Sequence, residues 1–396
     1  MDFNPYDHAL HADPYPTYRV LRDEHPAYWN DRLRFWTLSR YDDVLAALRD
    51  PGTFSSAGGI TIDARGREFK PMMITMDPPR HTRLRNLVAK AFTPRRVADL
   101  EPRIRAIAAE LLDAFATRGT ADLVEELAWP LPATVISELL GVPPGDRASF
   151  RAWSGDLVRG AHTPELGAAQ LGEAAMRGAM ELYRYFGELL AERRAAPRDD
   201  LTSALLAAEV DGRALTEDEL LGFCFLLLIA GHETTANLLG NALLALGRRP
   251  ELRAALVRDP ALLPTAVGEF LRWDAPVQGL ARTVTRDVEL HGHGLRTGEK
   301  VLLLFGSANR DERRFPEPDR LVLDRHPNPH LAFGHGTHAC LGALLAETEA
   351  RVGLGMLLAR LPDYEVVEAG VERLHSGPIR GLARLPVAFP VPRASG

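Results

Sequence analysis

The sequence predicts a mainly α-helical protein with a small β portion. Three observations carry that expectation. The first is one unusually long apolar helix, from about Thr216 to Gly247, which would run roughly 45 Å at 1.5 Å per residue. Its stretches "LLGFCFLLLIA" and "NLLGNALLAL" are apolar nearly all round, as in a helix buried through the middle of a core. The second is a pair of long amphipathic runs, "PRRVADLEPRIRAIAAELLDAFATRG" and "LGEAAMRGAMELYRYFGELLAERR". The third is that strand-like segments are short and few.

Taken in order, the N-terminal part mixes short helices with "YWNDRLRFWTL", which reads as a β-hairpin turning at Asn30-Asp31. "MDPPRHTRLRNLVAKAF" reads as a helix capped by Asp77, with Pro78 where a first-turn proline is tolerated. Helical pattern then continues to about Gly247, interrupted by Gly and Pro from Gly160 to Gly167, a helix–helix loop. Shorter helices follow the central one as far as Trp273. "ARTVTRDVEL" and "EKVLLLFGS" read as strands, followed by an irregular Pro-rich segment. A glycine-rich loop holding Cys340 leads into a last long helix from about Leu341. The tail "IRGLARLPVAFP" reads as strand and turn. There is no internal repeat and no long linker, so residues 1–396 are expected to form a single domain.

Composition narrows the class. The chain has 396 residues, is 46% hydrophobic and carries a net charge of −6, which argues against a nucleic-acid protein. Lys70, Lys90 and Lys300 are the lysines among 47 basic residues; this arginine bias suits a GC-rich, bacterial coding sequence. The first twenty residues show no basic and apolar leader, and no apolar run reaches the ~18 residues that suggest a membrane span. Two cysteines fit a reducing cytoplasm better than a disulfide framework. A cytosolic protein without nucleic-acid or membrane partners is expected.

Four segments stand out chemically. "FGHGTHACLG" puts Cys340 just before a helix, where the positive end of the helix dipole favours thiolate. Gly334 and Gly336 allow close backbone approach and positive φ. The thiol alone admits three readings: a structural cysteine, a zinc ligand with His335 and His338, or a nucleophile with a histidine base. "AGHETT" sets four polar side chains in succession inside an apolar helix, which is costly unless they are paired or face a cavity. It suits either a kink or a proton-delivery step through Glu233 and Thr234. "GEFLRW" places Glu269 and Arg272 on one helix face at i,i+3, by default a solvated pair. "HTRLR" does the same for His81 and Arg85, a basic face that suits a carboxylate.

Together these segments resemble the cytochrome P-450 superfamily, over essentially the whole chain. The family's Phe-x-x-Gly-x-x-x-Cys-x-Gly loop is met by Phe333, Gly336, Cys340 and Gly342, with Ala346 at the small position beyond. The resemblance implies the cytochrome P-450 fold, with haem between a long central distal helix and the proximal cysteine-loop helix. It implies Cys340 as the thiolate ligand of haem iron, with Phe333 and Gly334 beside it. His81, Arg85, Arg282 and His338 match positions that contact haem propionates. Ala230 and Gly231 match the oxygen-binding groove, and Glu233 and Thr234 its acid and alcohol. Glu269 and Arg272 match the Glu-x-x-Arg pair, and Arg320 in "FPEPDRL" the arginine that completes a structural triad. Three positions depart from the pattern. Leu321 replaces a frequent aromatic, Glu312 a usual proline, and Glu347 a usual arginine on the side where an electron donor docks.

The function implied is a haem-thiolate monooxygenase that hydroxylates or epoxidises a largely apolar small molecule. A bacterial polyketide, macrolide or terpenoid is expected, with a fatty acid or steroid, or a coupling reaction, as alternatives. The cofactor implied is haem b, with O2 and with electrons from NAD(P)H through a ferredoxin and its reductase. Met72, Met73, Leu227, Val277 and Ile379 are the expected apolar lining, and Gln278 and His375 the expected hydrogen-bonding groups.

Overall fold

The computed structural model describes residues 1–63, 72–161, 173–210, 212–377 and 379–391. Helix accounts for 55% of the chain and strand for 12%, so the fold is mainly helical with a small β part.

The central helix, Glu217–Gly247, starts where the sequence places it. Thr216 caps it: its hydroxyl accepts from Glu219 N at 3.2 Å, and Glu219 Oε2 accepts from Thr216 N at 3.1 Å. This reciprocal box satisfies two donors that the first turn leaves free. The helix packs against Pro130–Leu139, Glu173–Ala195, Leu263–Trp273 and Ala343–Arg360. Its C-terminal half, from Ala236 to Leu246, is wholly buried. By length and composition this helix could cross a membrane, with a mean hydropathy of 1.3 in its best window. The expectation concerned uninterrupted apolar runs, which stay short here because polar residues such as His232, Glu233 and Thr234 interrupt the apolar sequence of the helix. Its packing partners show why it is apolar: helices surround it as the core helix of this fold.

The β portion is built mainly from one five-stranded sheet in the order Ala27–Asn30, Phe35–Leu38, Lys300–Leu303, Leu280–Val284, Phe54–Ser55. The hairpin pairs Asn30 with Phe35, so its loop spans residues 31–34 and is longer than the expected tight turn at Asn30-Asp31. Asn30 closes it, accepting from Leu33 N at 2.7 Å and donating to Phe3 O at 2.8 Å. A second correction concerns Asp77. The helix begins later, at Arg80, with Pro79 as its cap residue. The Asp77 carboxylate instead accepts from Ser55 Oγ at 2.5 Å and Ser56 N at 2.9 Å. It therefore ties the helix entry to the edge strand of the sheet.

The expected loop from Gly160 to Gly167 lies largely outside the described residues, as does much of the expected lining segment around Lys70.

Candidate active site

Three elements carry the candidate residues: the middle of the central helix, the cysteine loop and the helix Arg80–Val88. On the central helix the polar run divides between two faces. His232, Glu233 and Thr235 are buried, whereas Ala230 is exposed and Leu227, Gly231 and Thr234 are half-buried. The accessible four fall at i, i+3, i+4 and i+7, a single face. Thr234 Oγ1 donates to Ala230 O at 2.6 Å and Thr235 Oγ1 to Gly231 O at 3.2 Å. Such back-bonds compete with the helix ladder at this point. His232 points the other way, its ring 4.1 Å from that of Trp129, and burial pushes it down to about 4.

The cysteine loop is shaped by two positive-φ glycines, Gly334 at +64° and Gly336 at +68°. A Cβ on Gly336 would lie 2.6 Å from Leu48 O, so only glycine fits that approach. Cys340 N donates to Phe333 O at 2.8 Å, closing the loop, and Phe333 packs on the main core. The helix Ala343–Arg360 follows. Cys340 is exposed by surface area, yet burial pushes its thiol up. Both hold if the side chain opens onto an internal cavity and not onto bulk solvent. A backbone hydrogen bond from Gly342 and the charge of Arg85 act in the opposite direction, toward thiolate.

Next to the cysteine lies a basic cluster. The rings of His81 and His338 are 4.2 Å apart. Burial pushes His338 down to about 4 and Arg282 down to about 10; His81 and Arg85 are lowered by the same cause. His81 Nδ1 and His338 Nε2 are buried without a hydrogen-bond partner. Among the described residues, Asp77 is the one carboxylate whose charge acts on His81, His338 and Arg282, and it is already hydrogen-bonded to Ser55 and Ser56. The cluster therefore calls for an anion.

Glu269 and Arg272 form a wholly buried pair, at 2.7 and 2.8 Å, not the solvated pair that spacing alone suggests. The expected third member, Arg320, is corrected. Its side chain is 68% exposed and pairs with Glu317. Arg325, 9% exposed, takes the place, its Nε 3.0 Å from Glu269 Oε1. Asn328 and the backbone N–H of Val322 complete the shell around the carboxylate. The chain reaches Glu269 only after the turn that exposes Arg320. No signal in the sequence separates the two arginines beyond their distance from that turn. Of the other departures, Leu321 is buried in the core, and Glu312 pairs with the buried Arg22 at 3.3 Å.

The expected lining residues do not all share one place. Leu227 belongs to the accessible face of the central helix. Val277 and Ile379 form an antiparallel bridge. Met72 packs half-buried against the cluster around Phe225, but Met73 is buried in the main core. Gln278 is buried: its amide nitrogen donates to Ala275 O at 2.7 Å and it abuts Gly306, while its Oε1 has no hydrogen-bond partner among the described residues, in a pocket whose lining it shares with Ile379. His375 stacks on His8, their ring centroids 3.9 Å apart.

An accessible thiol at a helix start, a shallow strip on a core helix and a cluster of unmatched basic groups suit a flat, dianionic, thiolate-ligated group. That is the donor set of a haem-thiolate protein. Residues 173–366 match the family described as Cytochrome P450. The chain is 44% identical over 392 residues to a vitamin D(3) 25-hydroxylase from Pseudonocardia autotrophica, covering 95% of this chain and 94% of that protein. The structure of cytochrome P450 CYP109Q5 from Chondromyces apiculatus matches with a TM-score of 0.90 and 43% identity, over 99% of both chains. CYP109E1 from Bacillus megaterium, in complex with testosterone, matches with a TM-score of 0.87 and 37% identity, over 96% of this chain and 100% of that one. The chain belongs to the cytochrome P450 family and is a monooxygenase of that family.

Proposed function

We propose that this protein is a haem b monooxygenase, a single haem domain over residues 1–396, that hydroxylates a bulky, largely apolar molecule of terpenoid or steroid type. The unmatched basic cluster beside an accessible cysteine is the observation that carries the cofactor part. Cys340 would ligate the iron; His81, Arg85, Arg282 and His338 would hold the two carboxylates; Phe333 and Gly334 shape the loop. Bound there, the haem supplies oxygen activation and the oxidation itself. The protein supplies ligation, proton delivery and orientation.

Ala230 and Gly231 keep one face of the central helix low, so that small ligands approach its backbone. Thr234 holds its hydroxyl at that face, and Glu233, buried one residue earlier, is the acid from which protons are resupplied. Leu227, Val277 and Ile379 offer apolar surface to the substrate, and no charged side chain belongs to that set. The steroid-type reading is supported by two similar proteins, one named a vitamin D(3) 25-hydroxylase and one solved in complex with testosterone. Electrons come from NAD(P)H through a ferredoxin and its reductase in the cytoplasm.

The test is spectroscopic. The reduced, CO-treated protein is expected to show a thiolate-type Soret shift that Cys340→Ala abolishes; an unchanged spectrum in the variant sinks the assignment. Titration with steroid, terpenoid and macrolide panels should give a low-to-high-spin shift with the first two. A shift with macrolides alone would move the substrate to the polyketide class. Thr234→Ala is expected to lower product formed per O2 consumed by about tenfold, less than the roughly hundredfold or more that a general acid–base group contributes to a rate. Unchanged coupling would remove Thr234 from proton delivery.

A further inference from the structure

The proximal side of the site carries a carboxylate that neither ligation nor proton delivery uses. Glu347 lies on the helix that starts just after Cys340, one turn beyond its first residue, Ala343, and on the same face. It is half-buried and makes no hydrogen bond or ion pair among the described residues. The nearest cation along the helix is already engaged: Arg351 pairs with Glu101 at 2.7 Å, and Glu101 also binds Arg105 at 2.7 Å. Thr348 turns its hydroxyl to Leu344 O at 2.8 Å, away from solvent. Burial alone displaces Glu347, pushing its carboxyl up, as expected for a half-sunken acid without a cation.

Two charges act on the Cys340 thiol, and they oppose each other. Arg85 favours thiolate and Glu347 disfavours it. Arg85 also belongs to the basic cluster, where a bound anion would share its charge. Glu349, two residues beyond Glu347, is wholly buried and pushed up to about 8, so it adds no full charge at neutral pH. Glu347 is thus the uncompensated negative charge nearest the cysteine on this helix.

We propose that Glu347 tunes the electron affinity of the site, holding the reduction potential of an iron centre on Cys340 lower than a neutral or basic side chain would. This rests on the reading of Cys340 as the haem ligand. One-electron reduction adds one negative charge at the centre and takes the electron from an external donor. A nearby carboxylate opposes that added charge through its Coulomb field. The carboxylate is partly solvated, so its effect is moderate and is screened by salt. Glu347 is a positioning residue for charge and touches no reacting atom.

The experiment is an anaerobic redox titration of the full-length, haem-loaded protein, comparing wild type, Glu347→Gln and Glu347→Arg. The isosteric Glu347→Gln is expected to favour the reduced form about threefold, roughly 30 mV at 59 mV per tenfold for one electron. Glu347→Arg is expected to favour it about tenfold, roughly 60 mV on the same scale. Glu289→Gln, at an exposed position of the hairpin Val288–Leu295, serves as the control and should leave the potential unmoved. The shifts should shrink at high salt, which a packing effect would not do. All variants should retain the thiolate-type spectrum with CO. A retained spectrum with an unmoved potential in both Glu347 variants overturns the proposal, and if Glu347→Arg loses haem, Glu347→Gln alone decides. A wild-type protein without that spectrum overturns the Cys340 reading beneath it, a separate result.

Discussion

Arg320 and Arg325 sit five residues apart and have opposite fates. The first ends a turn and meets water; the second reaches Glu269 from under 10% exposure, sharing the carboxylate with Arg272. Breaking a buried ion pair by removing one partner leaves an uncompensated charge and costs about 3 kcal/mol or more. Arg325→Ala should therefore destabilise by about that amount, and Arg320→Ala by no more than about 0.5 kcal/mol, as for most surface changes. Urea unfolding midpoints of the two variants check this. Equal losses would show that the triad does not depend on burial of its third member.

At the scale of the element, the cysteine loop makes a comparison between two glycines. Both Gly334 and Gly336 have positive φ, so alanine strains either one. Only Gly336 also meets backbone: its Cβ would stand 2.6 Å from Leu48 O, against 3.7 Å from His338 O for Gly334. Gly334→Ala is expected to cost about 1 kcal/mol from backbone strain. Gly336→Ala should cost more and lower haem retention, read as the Soret-to-protein absorbance ratio after gel filtration. Equal retention in both would mean that the close approach to Leu48 is dispensable. The sequence makes this loop legible because glycine spacing records backbone demands directly. The central helix is legible for a similar reason: its apolar run and Thr216/Glu219 cap are local signals. Asp77 and Gln278 are not. Asp77 has the chemistry of a cap, but Ser55 and Ser56, brought beside it by the sheet edge, outcompete the helix start. Gln278 turns its amide nitrogen back on Ala275 O and leaves its Oε1 unmatched among the described residues, a division of the amide that the sequence does not show. Long-range partners decided Asp77, and a single sequence does not record them.

At the scale of the whole molecule, acid should act in two separate windows. His232 is buried and His330 half-buried, and both are held down to about 4, chiefly by desolvation. In the unfolded chain each titrates near 6.5. Below that value the unfolded state binds protons that the native state refuses, so stability falls with pH by about 1.4 kcal/mol per unit per histidine until the native groups charge near 4. Asp274 works lower. Arg380 and Arg373 and the Tyr15 hydroxyl hold it down to about 2, and Arg380 also donates to His11 O, tying the first helix to the C-terminal loop. Its stabilising contribution is complete above the ordinary carboxyl range and is lost as pH falls from about 4 toward 2, worth about 2 kcal/mol. His232→Phe keeps the contact with Trp129 and removes one titrating group. Its urea midpoint should therefore fall less steeply than wild type between pH 6.5 and 4.5, by about 1.4 kcal/mol per unit after conversion. Asp274→Asn should instead start lower at neutral pH, with the gap to wild type closing only below about pH 4. Parallel profiles for His232→Phe and wild type would mean that His232 is charged in the native state. A gap for Asp274→Asn that closes near pH 6 would mean that Asp274 does not anchor the N-terminal helix.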